Sequence, residues 1–285
     1  MISYFRKPKF VFFGSPRFAE IIIKKLIDAG MPPAAVVCNP DRPFGRKKIL
    51  TPPPVKVVAQ LHGIPILQPE KLDESFKLQV LSFKPDVAVV AAYAKILPQS
   101  VIALPRLGIV GVHPSLLPKY RGASPIQAAL LAGDPVTGIS LYLIDAKVDH
   151  GAVLASREAQ IAPRETYATL VEKLGGLSGE LLIKTLPELI DGSITPTPQN
   201  EAIASYTKKF STEDGFVDLA QDDPVAIDRK IRALNPDPGV YTFAEKNGKR
   251  VRVKLIEAEL REGRLVPTLV QYDGAKPTRR SPPLH

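Results

Sequence analysis

The side chain best suited to chemistry in this sequence is His113, in the stretch GIVGVHPSLLPKYRG (108–122). Histidine titrates near neutral pH and can act as an acid, a base or an electrophilic group. A neighbouring carboxylate would orient the ring and favour its charged form. Two candidates, Asp145 and Asp149, follow the next apolar run, in LIDAKVDHG (143–151). The residues alone leave both open, and a single histidine at a strand end is more often structural than catalytic.

The strands that position these side chains are predicted from short apolar runs. Five of them predict buried strands: FVFF (10–13), AAVVCN (34–39), PDVAVVAAY (85–93), GIVGVH (108–113) and TGISLYLID (137–145). Segments of helical periodicity separate them, and after Gly14 the residues Phe18, Ile22 and Leu26 form one apolar stripe. Apolar strands that alternate with helices predict an α/β fold, with a doubly wound, mostly parallel sheet covered on both faces.

The strand ends predict where a ligand would bind. In sheets of this kind, ligands bind beyond the carboxyl ends of the strands. Gly14, Tyr93, His113 and the segment 145–149 each follow a predicted strand. We therefore expect these residues at one rim of the sheet, which would bring one of the two aspartates close to the histidine.

The chain is long enough for two domains. Residues 1–190 are predicted to form a catalytic domain that a helix near 167–190 completes, and the polar, proline-containing residues 191–206 a linker. Residues 207–285 predict a small, shortened, barrel-like β domain, with a hairpin at Asn247-Gly248. Its basic, proline-rich end, KPTRRSPPLH (276–285), is predicted to be disordered.

Composition bears on the cellular compartment of the protein. Cys38 is the only cysteine, so no intrachain disulfide can form, which fits a cytoplasmic protein, and its apolar neighbours favour an inert, buried thiol. No run of 18 apolar residues predicts a membrane span.

The net charge is +9, and residues 1–60 hold 11 Lys and Arg against 3 Asp and Glu. This excess indicates either a phosphate-bearing partner or a solubilising surface.

Longer motifs carry a resemblance to a known family. The stretch HPSLLPKYRGASPIQAALLAGDPVTGISLYLIDAKVDHGAVL (113–154) resembles the folate-dependent formyltransferases. The motifs FFGSPRFA (12–19), NPDRPFGRKK (39–48), PPPVKVVAQLHGIPILQP (52–69) and VVAAYAKILP (89–98) resemble the members that act on methionyl-tRNA. The resemblance implies a Rossmann-like catalytic domain and transfer of a formyl group from 10-formyltetrahydrofolate to the α-amine of methionine on initiator tRNA, without a metal.

The resemblance also implies an Asn–His–Asp catalytic triad, whose histidine and aspartate fall on His113 and Asp149. Protonated His113 would stabilise the tetrahedral oxyanion, while Asp149 holds the ring charged and helps to move protons. The asparagine falls on Gly111, which has no side chain to donate a hydrogen bond. Three explanations would account for this departure: a water or the glycine N–H replaces the donor, the substrate amine is bound differently, or the protein is a weak or inactive relative. His150 is also unusual for the family and is a candidate for the missing donor.

The resemblance assigns two loops to the folate. The first follows the histidine and contains Ser115, Leu116, Leu117 and Pro118; the second contains Ala92, Tyr93, Ile96 and Leu97. Their apolar residues suit a flat pterin ring, and loops bounded by proline lose little entropy when a ligand binds. Without the resemblance, both would be ordinary strand-to-helix loops.

Two basic segments are assigned to tRNA in the same way. The loop DRPFGRKK (41–48) supplies Arg42, Arg46, Lys47 and Lys48, with Phe44 available to stack on a base. The hairpin KNGKRVRVK (246–254) supplies Lys249, Arg250 and Arg252. Alternation along a strand predicts that Lys246, Arg250, Arg252 and Lys254 line one face.

Two other functions remain open at this stage. A folate-dependent formyltransferase of amino sugars would share the catalytic motifs but would not need the basic loop at 41–48. A weakly active or non-catalytic relative that binds tRNA or folate would tolerate Gly111 but would not need the pairing of His113 with Asp149. The resemblance suggests a monomer that works in the cytoplasm.

Overall fold

The computed structural model describes residues 8–45, 47–246 and 248–279, and the chain forms two compact units. The first unit comprises residues 1–121, 138–159 and 171–206, and the second comprises 122–137, 160–170 and 207–285. The division into a catalytic domain, a linker and a β domain at residues 190 and 206 stays a prediction.

A seven-stranded sheet forms the centre of the first unit. Its strands are β1 (Phe10–Gly14), β2 (Ala35–Val37), β5 (Ile66–Leu67), β6 (Val87–Ala91), β7 (Ile109–His113), β9 (Val136–Leu143) and β10 (Val153–Gln160). Their order across the sheet is β10-β9-β7-β6-β1-β2-β5. The pairings of β5 with β2, β2 with β1, β1 with β6 and β6 with β7 are parallel, and β9 runs antiparallel to β7. The mostly parallel sheet predicted from the apolar runs is confirmed.

Helices and short strands connect this sheet. The helices are α1 (Arg17–Asp28), α2 (Pro54–Leu61), α3 (Glu74–Ser82), α4 (Gln99–Ile102) and α6 (Tyr167–Asp191), with a 3₁₀ turn at Glu201–Ile203. The short strands are β3 (Arg42–Phe44) with β4 (Ile49–Thr51), and β8 (Arg121–Gly122) with β11 (Tyr206–Thr207). The predicted stripe of α1 is confirmed, since Phe18, Ile22 and Leu26 are all buried.

The second unit contains two helices and a four-stranded antiparallel sheet. Its elements are α5 (Pro125–Ala132), a 3₁₀ turn at Glu213–Gly215, α7 (Pro224–Leu234), β12 (Val240–Lys246), β13 (Lys249–Arg261), β14 (Arg264–Tyr272) and β15 (Thr278–Arg279). The predicted hairpin is present between β12 and β13, although Asn247 lies outside the described residues. Residues 278–279 pair with β14, so the prediction of disorder from residue 276 is wrong for this strand; residues 280–285 lie outside the described residues.

The interior of the first unit is apolar, as its continuous strands require. Val11, Phe13 and Ala88 belong to one buried cluster, and Cys38 beside β2 is also buried. Burial raises the pKa of the Cys38 thiol to about 11, so the reactive thiolate is scarce at neutral pH. Within the part of the chain that the structure describes, no helix is long and apolar enough to cross a membrane.

Candidate active site

The pairing of β7 with β9 sets the register of the candidate site. His113 lies opposite Ser140, and Gly111 lies opposite Tyr142. Directly paired residues share a face, and residues two apart in a strand point to the same side. The four residues therefore form one patch at the carboxyl end of β7, where the sequence predicted a ligand rim.

His113 is buried, with 6% of its surface exposed. Its Nε2 donates a hydrogen bond to the carbonyl of Tyr120 at 2.8 Å, because a carbonyl oxygen can only accept. Its Nδ1 lies 3.5 Å from Oδ2 of Asp149. Burial lowers the pKa of His113, against the raising effects of Asp149 and the Tyr120 carbonyl. This direction is opposite to the expectation that Asp149 keeps the ring charged, and it indicates a ring that is neutral at rest.

The structure separates the two candidate aspartates. Asp149 faces His113, whereas Asp145 accepts a hydrogen bond from Nδ1 of His150 at 2.6 Å. The other ring nitrogen of His150 lies 3.6 Å from Glu201. His150 is thus placed against two carboxylates, and its contacts give no support to the hypothesis that it replaces the donor missing at Gly111.

Tyr142 fills the space beside Gly111. A Cβ atom built at position 111 would lie 2.4 Å from Cε1 of Tyr142, 2.5 Å from Cζ and 2.8 Å from the phenol oxygen. The same phenol donates a hydrogen bond to Oδ1 of Asp149 at 2.6 Å. Burial and the charge of Asp149 raise the pKa of Tyr142 far above its ordinary value, so the phenol stays protonated. Sequence reasoning missed this residue, although a tyrosine inside the apolar run 137–145, close to the predicted rim, was a usable signal.

Arg121 was also missed, and it ties residues 199–206 to the site. Its side chain is completely buried and donates hydrogen bonds to Gln199, Glu201 and Tyr206 at 2.6–3.0 Å. Glu201 and the other partners raise the pKa of Arg121 further, so the charge is permanent. Gln199 in turn donates to the backbone carbonyls of Asp149 and Gly151, at 2.9 and 2.8 Å. The predicted linker therefore supports the backbone of the candidate catalytic aspartate.

Several residues at this rim have strained backbone conformations. Asp149, Tyr120 and Ala92 have φ angles of 47°, 59° and 49°, in the left-handed region that non-glycine residues rarely adopt. Such conformations persist only where the surroundings impose them, and they are concentrated at functional sites. Three of the six such residues in the described chain lie in loops that follow strands of the central sheet.

The first predicted folate loop is held in place by serine hydroxyls. Ser115 is buried and donates to the carbonyl of Lys119, while Ser140 donates to the carbonyl of Ser115 and accepts from the N–H of Leu117. Leu116 packs into the space over Gly138. The hydroxyl of Ser115 therefore stabilises the loop, and the half-buried Leu117 and Pro118 retain apolar surface.

The second predicted folate loop divides its residues between the interior and the solvent. Tyr93 packs edge-on against Phe13 and joins the same apolar cluster as Leu97, and burial raises the pKa of Tyr93 to about 12. Ala92 is exposed, and Ile96 is 95% exposed. Lys95, which the sequence did not single out, donates to the carbonyls of Pro69 and Glu70 and so fixes the loop.

The basic loop at 41–48 is a hairpin that presents its side chains to solvent. Arg42, Lys47 and Lys48 are exposed, and Phe44 is 77% exposed; Arg46 lies outside the described residues. The base of the hairpin is anchored by Asp41, which accepts hydrogen bonds from Gln68 and Lys56 at 2.7–2.8 Å. Gln68 and Lys56 lower the pKa of the Asp41 carboxyl.

In the second unit, two arginines of β13 stack on aromatic rings of β12. The guanidinium of Arg250 lies 4.1 Å from the ring centroid of Phe243, and that of Arg252 lies 3.5 Å from that of Tyr241. Lys254, opposite Tyr241, shares their face. Lys249 is exposed, and alternation places it on the other face. Lys246 pairs with Lys249, so the prediction that its position belongs with the arginines is wrong.

In the described part of the chain, no cluster of His, Cys, Asp or Glu side chains could hold a metal ion. What the site offers is a buried histidine, a carboxylate that faces one of its nitrogens, and a protonated phenol on the same carboxylate. This arrangement can accept a proton, carry positive charge next to a reacting carbonyl, and return the proton to a leaving group.

Comparison with known proteins assigns the family. The Formyl transferase model matches residues 8–186, and the model for the Formyl transferase C-terminal domain matches residues 209–269. Methionyl-tRNA formyltransferase of Chloroflexus aurantiacus is 40% identical over 263 residues, which cover 92% of this chain and 84% of that protein.

Solved structures agree on the fold. Methionyl-tRNA formyltransferase from Clostridium thermocellum superposes with a TM-score of 0.63 at 17% identity, covering 93% of this chain and 98% of that one. HypX from Aquifex aeolicus in complex with tetrahydrofolic acid gives a TM-score of 0.64 at 19% identity, covering 93% of this chain and 42% of that one. The matched segments include His113, Tyr142 and Asp149 and most of the second unit. The chain therefore belongs to the formyl transferase family, with the methionyl-tRNA formyltransferases.

Proposed function

We propose that this chain transfers the formyl group of 10-formyltetrahydrofolate to the α-amine of methionine on initiator tRNA. The observation that carries the proposal is His113, buried at the end of β7 with Nδ1 3.5 Å from Asp149. Relatives named methionyl-tRNA formyltransferase, 40–44% identical over most of the chain, support the choice of substrate.

In this proposal His113 begins as a base. Its Nε2 keeps its hydrogen on the Tyr120 carbonyl, and burial lowers the pKa of the ring, so Nδ1 is unprotonated at neutral pH. The methionine amine attacks the formyl carbon and forms the new C–N bond. The proton that the amine loses passes to Nδ1, directly or through Asp149 and a water.

Protonation then turns the ring into an electrostatic catalyst. The imidazolium lies between the Tyr120 carbonyl and the Asp149 carboxylate, both of which stabilise its charge. That positive charge stabilises the tetrahedral oxyanion. When the bond between the formyl carbon and N10 of the folate breaks, the same proton goes to N10, which leaves tetrahydrofolate and the formylated amine.

The rim loops supply the proposed folate surface. Leu117 and Pro118 on one loop and Ala92 and Ile96 on the other retain apolar surface, as a flat pterin ring requires. Ser115 stabilises the first loop through its hydrogen bond to the carbonyl of Lys119. Tyr93 and Leu97 stabilise the second loop by packing against the apolar cluster. The loops are therefore fixed before a ligand arrives, which reduces the entropic cost of binding.

The proposed tRNA surface begins at the β3–β4 hairpin. Its exposed cations, Arg42, Lys47 and Lys48, suit phosphates, and the exposed ring of Phe44 suits a base. In the second unit, Arg250 and Arg252 are proposed to add cationic contacts, with Lys249 on the other face of the sheet. An amino-sugar substrate would not need the cationic side chains of this hairpin.

Formylation of purified full-length protein tests the proposal. We expect formyl-methionine when the protein is incubated with initiator methionyl-tRNA and 10-formyltetrahydrofolate, and none when a nucleotide-linked amino sugar replaces the tRNA. His113→Gln should lower kcat roughly 10²- to 10⁴-fold, the usual contribution of a general acid or base. His62→Gln is the matched control, because His62 is exposed at the end of α2. Absence of product, or equal rates for His113→Gln and wild type, would refute the proposal.

A further inference from the structure

We propose that Tyr142 is a positioning residue of this reaction. Its phenol holds Asp149 in the orientation that serves His113, and the glycine at position 111 exists to make room for its ring. The inference rests on the proposed function, and it concerns a residue pair whose roles the resemblance to other formyltransferases does not supply.

The first part of the argument is space. Tyr142 lies directly opposite Gly111 in the β7–β9 pairing, and its ring occupies the volume that a side chain at 111 would need. Separations of 2.4–2.8 Å from a Cβ atom are far below the 3.5–4.0 Å of normal carbon contacts. The φ angle of Gly111 lies outside the left-handed region, so the backbone itself does not require glycine there. The ring is what requires it.

The second part is the hydrogen bond. The phenol of Tyr142 donates to Oδ1 of Asp149 at 2.6 Å, which leaves Oδ2 as the oxygen 3.5 Å from His113. Bonds of this kind, to an ionised acceptor, are shorter and stronger than neutral ones. Because burial and Asp149 raise the pKa of the phenol, it stays protonated at neutral pH and remains a donor.

The third part is the strained backbone of Asp149. Its φ of 47° is unfavourable for a residue with a side chain, so the loop needs restraints from outside. Gln199 restrains the backbone by donating to the Asp149 carbonyl, and Tyr142 restrains the carboxylate. The first contact acts on the backbone of Asp149, and the contact of Tyr142 acts on the charged group that faces His113.

The variant Tyr142→Phe separates positioning from packing, because the ring stays over Gly111 and only the hydroxyl is lost. We expect kcat for formylation to fall roughly 10- to 100-fold, the range for one hydrogen bond to a charged group, with little change in KM for either substrate. Tyr167→Phe, at the half-buried start of α6, is the matched control and should behave as wild type.

A second measurement does not depend on activity. The pKa of His113 is read by NMR titration of histidine-labelled full-length protein, with His113→Gln used to assign the signal. We expect the pKa to rise in Tyr142→Phe, because the phenol no longer shares the negative charge of Asp149; the Tyr120 carbonyl contributes equally in both proteins. Unchanged kcat together with an unchanged or lowered pKa would overturn the proposal, as would a raised KM with unchanged kcat. If wild type makes no formyl-methionine, the proposed function fails, while the titration still decides the role of Tyr142.

Discussion

One methyl group at position 111 tests whether the β7–β9 pair is built around the ring of Tyr142. In Gly111→Ala the new Cβ would lie 2.4–2.8 Å from three ring atoms, so the ring must move or the strands must separate. Overpacking of a buried site costs about 1–3 kcal/mol. If the ring moves far enough to release Asp149, loss of a hydrogen bond to a charged group adds about 1.5–3 kcal/mol.

A double-mutant cycle isolates this interaction from any general effect of the substitution. In the Tyr142→Ala background the three ring atoms that lie 2.4–2.8 Å from the new Cβ are absent, so the close contacts of the added methyl are removed. Glycine inside a strand is less stable than alanine by about 0.5–1 kcal/mol, because it loses more backbone entropy. We therefore expect Gly111→Ala to destabilise the wild-type background and to be neutral or stabilising when Tyr142 is alanine.

Hydrogen exchange of the β7 and β9 amides measures this, because it reports the local free energy of opening without assuming that both units unfold together. The amides of the β12–β13 hairpin serve as the internal reference. The reasoning is refuted if Gly111→Ala has the same effect in both backgrounds, because then the ring of Tyr142 is not what the methyl encounters.

Two further predictions concern charge. Reversing Lys47 and Lys48 to glutamate should weaken tRNA binding and reduce the slope of log affinity against log salt by about two, or about one per phosphate contact; equal loss with reversals at the exposed Lys71 and Lys184 would assign the effect to net charge instead. Burial lowers the pKa of His113 from 6.5, so the unfolded chain binds more protons at acidic pH, and stability should fall as the pH drops below 6.5. Denaturant midpoints should show a smaller pH dependence in His113→Gln, and an equal dependence would contradict this account.

The sequence was informative wherever a long apolar pattern determined the structure. Continuous runs predicted the parallel strands, and the rule that ligands bind at their carboxyl ends predicted the rim that holds His113. The choice between Asp145 and Asp149 could not be made from spacing, because both follow the same strand and differ only in how the loop turns. In the structure Asp149 lies against His113, where its φ angle and the hydrogen bonds of Tyr142 and Gln199 hold it.

Contacts between distant residues were beyond sequence reasoning. Arg121 and its partners are 78 to 85 residues apart, and nothing local distinguishes a buried arginine from a surface one. The β3–β4 hairpin escaped prediction because its strands are three residues long and exposed throughout, so they show no alternation of apolar and polar positions. Gly111 was visible as an anomaly, but its cause is a cross-strand register that only the structure supplies.

The buried guanidinium of Arg121 determines where this protein can be divided. A fragment that ended at residue 190 would keep the whole central sheet but would lose Gln199, Glu201 and Tyr206, the partners that compensate the charge. An uncompensated buried charge costs about 3–5 kcal/mol, a large part of the stability of an ordinary domain. A fragment that keeps this charge compensated must therefore extend at least to residue 206, so the segment predicted as a linker supplies the partners of a buried side chain.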